Sequence, residues 1–398
     1  MLIGVVGKPN VGKSTFFKAL TLADVEIANY PFATIKPNRG IAHVRVERVD
    51  KEFGVVANPR VGFLKGKYRF VPVEVMDVAG LVPGAYQGKG MGNQFLDDLR
   101  QADVLIHVID ISGSTNIQGE PVPVGTHDPL EDVEFLDKEL DMWYYQILKK
   151  GWDRFSKRVT LEHKDAVKMI AKQFSGLGAT EDDFKDVIKN LRLSEVLTEW
   201  KDDDLMKLAA TLRRKTKPII IAANKIDMPN AEENLKRLKS RFEDYTIIGC
   251  SAEAELALKE ADKEGLVEYV PGDSDFKILN EEKLNEKQKK ALKFIRENIL
   301  KKFGSTGVQK VIDSAVFEFL KYIAVFPGGV HKLTDSEGRV LPDCFLMPPN
   351  STALDFAYKI HTDIGNNFVT AIDVRTKKPI GREYKLKHRD VIEIMTKK

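Results

Sequence analysis

Only two cysteines, Cys250 and Cys344, occur in 398 residues, and they stand far apart. They offer neither a disulfide framework nor a metal-ligand spacing, as expected for a chain kept in a reducing compartment. The seven histidines are scattered and form no HxxxH pair, so no helix-borne zinc site is written here. No run approaches the ~20 apolar residues needed to span a bilayer. The opening MLIGVVG reaches Lys8 too soon for the apolar core and cleavage site of a secretory leader. A soluble, cytoplasmic chain is the expectation. Charge of one sign is also missing: 62 Lys and Arg against 59 Asp and Glu leave +3. That balance argues against nucleic-acid binding by the whole surface and leaves room only for a local basic footprint.

What is present is a globular composition, 43% hydrophobic and 30% charged, in a chain long enough for two or three domains. Short apolar runs recur between Gly, Pro and Asn: LIGVV (2–6), IAHVRV (41–46), FVPVEVM (70–76), VLIHVID (104–110), PIIIAAN (218–224) and TIIGC (246–250). Several are nearly continuous in Val and Ile, as parallel strands buried on both faces are. Helical stretches such as GKSTFFKALTLA and GNQFLDDLRQA alternate with them, which predicts a mostly parallel, doubly wound α/β domain over 1–116 and 212–262. The hundred residues between VLIHVID and PIIIAAN are too many for one crossover and predict a helical insertion over 117–211. Its stripes are Val133, Leu136, Leu140, Tyr144 and Ile147; then Leu161 through Val167, Ile170 and Phe174; then Phe184, Val187 and Leu191, started by a cap at Thr180 with Asp183. A helical extension is expected over 263–320. The short strand-like pieces and turns over 321–398 predict a small α+β module.

Three motifs carry chemistry. GKPNVGKS, from Gly7 through Lys8, Pro9, Asn10, Val11, Gly12 and Lys13 to Ser14, fits GxxxxGK[ST] between a strand and a helix that continues at Thr15. Its backbone N–H groups suit phosphate oxygens, Lys13 suits the β- and γ-phosphates, and the Ser14 hydroxyl suits Mg²⁺. By ordinary residue usage this pattern arises in about one such chain in a hundred. DVAG (77–80) follows the strand FVPVEVM, so Asp77 is the candidate magnesium carboxylate and Gly80 the candidate γ-phosphate sensor. NKID follows PIIIAA. The Asp227 carboxylate can accept from guanine N1–H and N2–H₂, whereas adenine offers an acceptor at N1 and no amine at C2. Lys225 can lay its stem over the purine, and Asn224 can brace the phosphate loop. SAE adds backbone N–H groups at Ser251 and Ala252 that suit the guanine O6.

In this order the motifs resemble a translation-factor-class P-loop GTPase, specifically the Obg family and its YchF-like branch. NYPFATIKPNRG (29–40) resembles that family's first switch, whose threonine, here Thr34, closes over the γ-phosphate and Mg²⁺. DVAGLVPGAYQGKGMGNQFLDDLRQADVLIHVID resembles its glycine-rich second switch, and HDPLEDVEFLDKEL the start of the branch's helical insertion. STALDFAYKIHTDIG resembles the TGS module, β-grasp-like in fold. The likeness is weakest over about 155–210 and 262–320. It implies an enzyme in which Lys13, Thr34 and Gly80 serve catalysis, while Ser14, Thr34 and Asp77 serve the metal. Members of the branch commonly carry glutamate for the aspartate of NKxD, and some prefer ATP; here NKID is intact, so GTP is expected.

Many relatives among nucleotide hydrolases place a water-orienting glutamine after DxxG. This chain has Leu81, which cannot orient water, and a hydrophobic residue there is the pattern of the family it resembles. Asn10 occupies a loop position resembling the potassium ligand of cation-stimulated GTPases; support of the turn is the alternative role. The last stretch carries Arg375, Lys377, Lys378, Arg382, Lys385, Lys387 and Arg389 against one acid, Glu383. That run reads either as a solvated face or as a footprint for RNA phosphates. The resemblance favours a monomeric switch on ribosomes or RNA, reached through the TGS module and the insertion. An ATPase of the same architecture and a nucleotide-gated binding module with incidental hydrolysis are the alternatives.

Overall fold

The structure, a computed structural model, describes residues 1–22, 38–78, 84 and 98–397. Two compact units divide the chain: Met1–Phe17 with Met76–Glu253, and Lys18–Val75 with Ala254–Lys398.

In the first unit four parallel strands lie in the order β1 (Leu2–Val6), β2 (Val104–Asp110), β3 (Ile219–Asn224) and β4 (Thr246–Gly249). β1, β2 and β3 are buried along their whole length, which is why their sequences run apolar instead of alternating. α1 (Lys13–Thr21) begins seven residues after β1. Helices fill the connection from β2 to β3: α2 (Leu130–Lys149), α3 (Trp152–Leu161), α4 (Ala166–Gln173), α5 (Glu181–Asn190) and α6 (Asp202–Thr216). A single apolar core joins them to the strands, running from Leu2, Val6 and Leu105 through Leu136 and Tyr144 to Leu208 and Leu212. Trp152 anchors its far end, stacked on Trp200 at 5.3 Å between ring centres.

One expected helical stripe breaks. Leu161 closes α3 with 78% of its surface exposed, and Val167, Ile170 and Phe174 belong to a separate turn of structure. His163 takes a left-handed φ of 47°, and the Asp165 carboxylate then accepts from the Lys168 N–H to start α4. The cap at Thr180 holds as a reciprocal box: Asp183 N–H donates to Thr180 Oγ1, and Thr180 N–H donates to the Asp183 carboxylate.

The second unit carries the strands Arg39–Glu47, Phe63–Lys65 and most of Tyr68–Asp77. The stretch expected to be a helical extension opens with a hairpin, Val267–Tyr269 against Phe276–Ile278, before its helices begin at Glu286. In the C-terminal module Ile323–Pro327 pairs antiparallel with Phe345–Met347 and parallel with Val391–Thr396. Phe368–Asp373 then pairs antiparallel with Val391–Thr396, and Lys378–Ile380 forms the far edge. The helix Ala353–Ile360 buries Ala353, Phe356 and Ala357 in the core that also holds Val325, Ala371 and Ile392. This is the α+β module expected from the sequence. No helix among the described residues is long and apolar enough to cross a membrane.

Two histidines are buried as neutral rings. Burial drives His107, in β2, down to about 4, with Asp132 pulling it up and Lys8 pushing it down. Burial, and then Lys259, drives His43 in the second unit down to about 3. Both folded values lie below the ordinary 6.5, so between pH 6.5 and 4 the unfolded chain binds protons that the folded chain refuses. Stability is therefore full above pH 6.5 and falls on acidification by about 1.4 kcal/mol per pH unit for each histidine. Thermal melts from pH 7 to 4.5 should show this slope, and His107→Gln should flatten it. An unchanged slope in that variant would place the linkage elsewhere.

Candidate nucleotide site

All described site residues lie in the first unit. The loop between β1 and α1 is made by two glycines whose hydrogen atoms are needed. A Cβ on Gly7 would meet Val108 O at 2.6 Å, and one on Gly12 would meet Asn224 Nδ2 at 2.3 Å, at a φ of 89° that side chains resist. The Phe16 N–H then donates to Gly12 O at 2.8 Å and starts the helix, leaving the earlier loop N–H groups without helical partners. Lys13 opens α1 and its ammonium contacts the Asp77 carboxylate at the end of the strand Tyr68–Asp77. Ser14 is exposed and Thr15 half-buried beside it.

Asn224, at the end of β3, connects three loops. Its Nδ2 donates to Val11 O at 2.9 Å, and its Oδ1 accepts the Ala252 N–H at 3.0 Å. The next residue, Lys225, takes a φ of 65° and sends its ammonium to Asn10 O at 3.1 Å. Ser251 and Ala252 are buried, and because the Ala252 N–H is donated to Asn224 it is not free for the guanine O6 that the sequence assigns to it. Asp227 is half-buried, and its carboxylate has no hydrogen-bond or ion-pair partner among the described residues.

Two of the sequence-selected side chains are otherwise engaged. The Lys8 ammonium is buried and donates to Asp132 Oδ1 at 2.6 Å and to Thr115 O at 2.9 Å, so what Lys8 leaves for the loop is its backbone. Asn10 takes a left-handed φ of 62° and its Nδ2 donates to Gly119 O at 2.8 Å, which is the turn-supporting role. Pro9 packs against Gly119, whose missing Cβ would sit 2.7 Å from the proline ring. Thr34, Gly80 and Leu81 lie outside the described residues.

Sequence reading missed Asp110 and Asp132. Asp110 ends β2 fully buried, and Asp132 starts α2 with its Oδ1 shared by Lys8 and by His127 Nε2 at 2.8 Å. The only signal for Asp110 was the hydroxyl-rich ISGST that follows it, a composition that wraps a carboxylate in local hydrogen bonds.

A phosphate-shaped loop, an acid on the neighbouring strand end that meets the loop's lysine, and a base segment tied to the loop by one asparagine define a P-loop nucleotide-binding protein. Comparison with known proteins narrows the class. A model described as 50S ribosome-binding GTPase matches residues 2–144, one for the G4 motif-containing domain of Obg-like GTPases of the YGR210 type matches 222–329, and a TGS domain matches 332–396. A GTP-binding protein of Methanocaldococcus jannaschii is 50% identical over 396 residues, 99% of each chain. The ribosome-binding ATPase YchF of Bacillus subtilis is 35% identical over 66% of this chain and 68% of its own. A solved GTP-binding protein of Pyrococcus horikoshii superposes with a TM-score of 0.77 at 41% identity, covering all of both chains. The chain belongs to the Obg-like P-loop GTPases, in their YchF-like branch, with a C-terminal TGS domain.

Proposed function

We propose that this protein binds GTP with Mg²⁺ and hydrolyses it to GDP and phosphate, as a cytoplasmic, monomeric switch acting on ribosomes or RNA. Asp227 carries the choice of base. A half-buried carboxylate with no partner among the described residues is a costly group to desolvate, and guanine supplies the two donors that satisfy it. Adenine would leave it short, which opposes the ATPase reading that the name of the Bacillus subtilis relative suggests.

The chain's own residues bind and orient. Loop amides and Lys13 neutralise phosphate charge, Asn224 holds the loop in register with the base segment, and the Lys225 stem covers the purine. Ser14 and Asp77 are hard oxygen donors set beside Lys13, a donor set that fits Mg²⁺. The ion would add charge neutralisation there. Thr34 and Gly80 keep the roles that the family resemblance gives them.

The ribosome or RNA part rests on the names of the relatives and on five exposed cations with no carboxylate partner among the described residues, Lys377, Lys378, Arg382, Lys385 and Lys387. The basic run is shorter than its sequence suggests. Arg375 and Arg389 both donate to Glu52, which offsets their charge.

Hydrolysis is expected to be slow, because Leu81 supplies no water-orienting group, and faster in K⁺ than in Na⁺ of equal ionic strength by at least about tenfold. Asn10→Ala should lower the rate more in K⁺ than in Na⁺, since the lost bond to Gly119 is common to both. Equal rates for Asn10→Ala and the parent in K⁺ would leave Asn10 with its turn-supporting bond to Gly119 alone. Phosphate release from GTP by the purified chain with Mg²⁺ tests the whole reading; no release under any cation would end it.

A further inference from the structure

Asp110 is fully buried, and its two carboxylate oxygens receive five donors. Oδ1 accepts the Ser112 N–H at 3.0 Å and the Ser112 hydroxyl at 2.6 Å. Oδ2 accepts Ser114 Oγ at 2.6 Å, Thr115 Oγ1 at 2.7 Å and Lys225 Nζ at 2.8 Å. Burial pushes this carboxyl up, but the bonds from Lys225 and the three hydroxyls outweigh it and hold it below the usual carboxylate range. An ion so satisfied is costly to bury yet stable where it stands.

Lys225 completes the arrangement. Its ammonium has three protons and finds three acceptors: Asp110 Oδ2, Asn10 O at 3.1 Å and Ser114 Oγ at 3.2 Å. The backbone end of the same side chain is fixed by the left-handed turn at φ 65°. A lysine held at both ends has little rotamer freedom left to lose when something packs on its stem. Thr115 extends the same buried network to the phosphate loop, since its carbonyl accepts from Lys8.

We infer that Asp110 is a positioning residue for base recognition: it clamps the Lys225 ammonium against the phosphate loop and so presents the lysine stem as a preset platform for a purine. This rests on the nucleotide-binding reading above but not on which purine is bound, because a stem stacks on either base. The contact is the same in the ground and transition states, so it governs affinity and not the chemical step.

The test is equilibrium binding of GTP, GDP and ATP, with kcat and KM, for the full chain and for Asp110→Asn, Lys225→Met and the double variant. Asp110→Asn should weaken each purine nucleotide that the parent binds by about 10- to 30-fold, raise KM alike and leave kcat within about twofold. In the Lys225→Met background the same change should cost less than about threefold, because the group through which Asp110 acts is gone. An equal loss in both backgrounds, or a fall in kcat with KM unchanged, would overturn the inference. If Asp110→Asn does not fold, Ser114→Ala removes one member of the clamp. It should weaken binding about threefold in the parent and not at all in Lys225→Met, and no loss in the parent overturns the inference too. A parent chain that binds no purine nucleotide would instead sink the functional reading, whereas a parent that binds one and is indifferent to Asp110→Asn sinks this inference alone.

Discussion

Lys13→Met is expected to lower GTP turnover by about 10²–10³-fold, the loss seen when one fixed donor to developing charge is removed. The argument begins with placement. Lys13 is the first residue of α1, its side chain only 15% exposed, and its ammonium meets the Asp77 carboxylate, so a positive charge stands at the end of the phosphate loop. Phosphoryl transfer needs charge neutralisation and positioning more than covalent chemistry, and each fixed positive group carries a share. With Leu81 unable to contribute, the share carried by Lys13 is large. Methionine keeps the length and apolar stem but carries no charge, so packing of α1 should survive. Asp77 loses this one ion pair and is 28% exposed, which keeps the stability penalty small. The assay is phosphate release at saturating GTP, with a thermal melt alongside. A rate within fivefold of the parent, in folded protein, would remove Lys13 from catalysis.

Asp227→Asn is expected to change the base. The variant side chain keeps one acceptor and gains a donor, so it satisfies guanine N1–H but faces the C2 amine with an N–H₂. Losing a charge-assisted bond and opposing two donors should weaken GTP roughly 10²-fold. Xanthine carries an oxygen where guanine carries that amine, so xanthosine triphosphate should gain by a comparable factor. Direct competition against labelled GTP measures both. Unchanged GTP affinity in Asp227→Asn would mean that the carboxylate does not read the base, and the case against ATP would go with it.

The elements that the sequence makes legible are those specified by local patterns. VLIHVID is the strand Val104–Asp110 to the residue, because a strand buried on both faces has no alternation to blur its ends. The Thr180 cap was readable because both of its bonds close within four residues. The α3–α4 break was not, since TLEHKDAV contains no Gly or Pro and the turn depends on His163 entering the left-handed region. The α/β class and the C-terminal module were legible for the same local reasons. Within the site, the glycines, Lys13, Asn224 and Asp227 stand in motifs whose spacing carries their chemistry. Asp110 does not: its charged partner, Lys225, is 115 positions away. The basic run near the C-terminus shows the same limit. Arg375 meets Glu52 across 323 positions, so counting nearby acids overstated the free positive charge.

The most direct test of the central claim is competition of unlabelled GTP, GDP and ATP against a labelled guanine nucleotide on the purified full chain with Mg²⁺. The account predicts displacement by GTP and GDP at concentrations at least about 10²-fold below any displacement by ATP. Equal or stronger displacement by ATP would contradict it, and would mean that Asp227 is not what chooses the base.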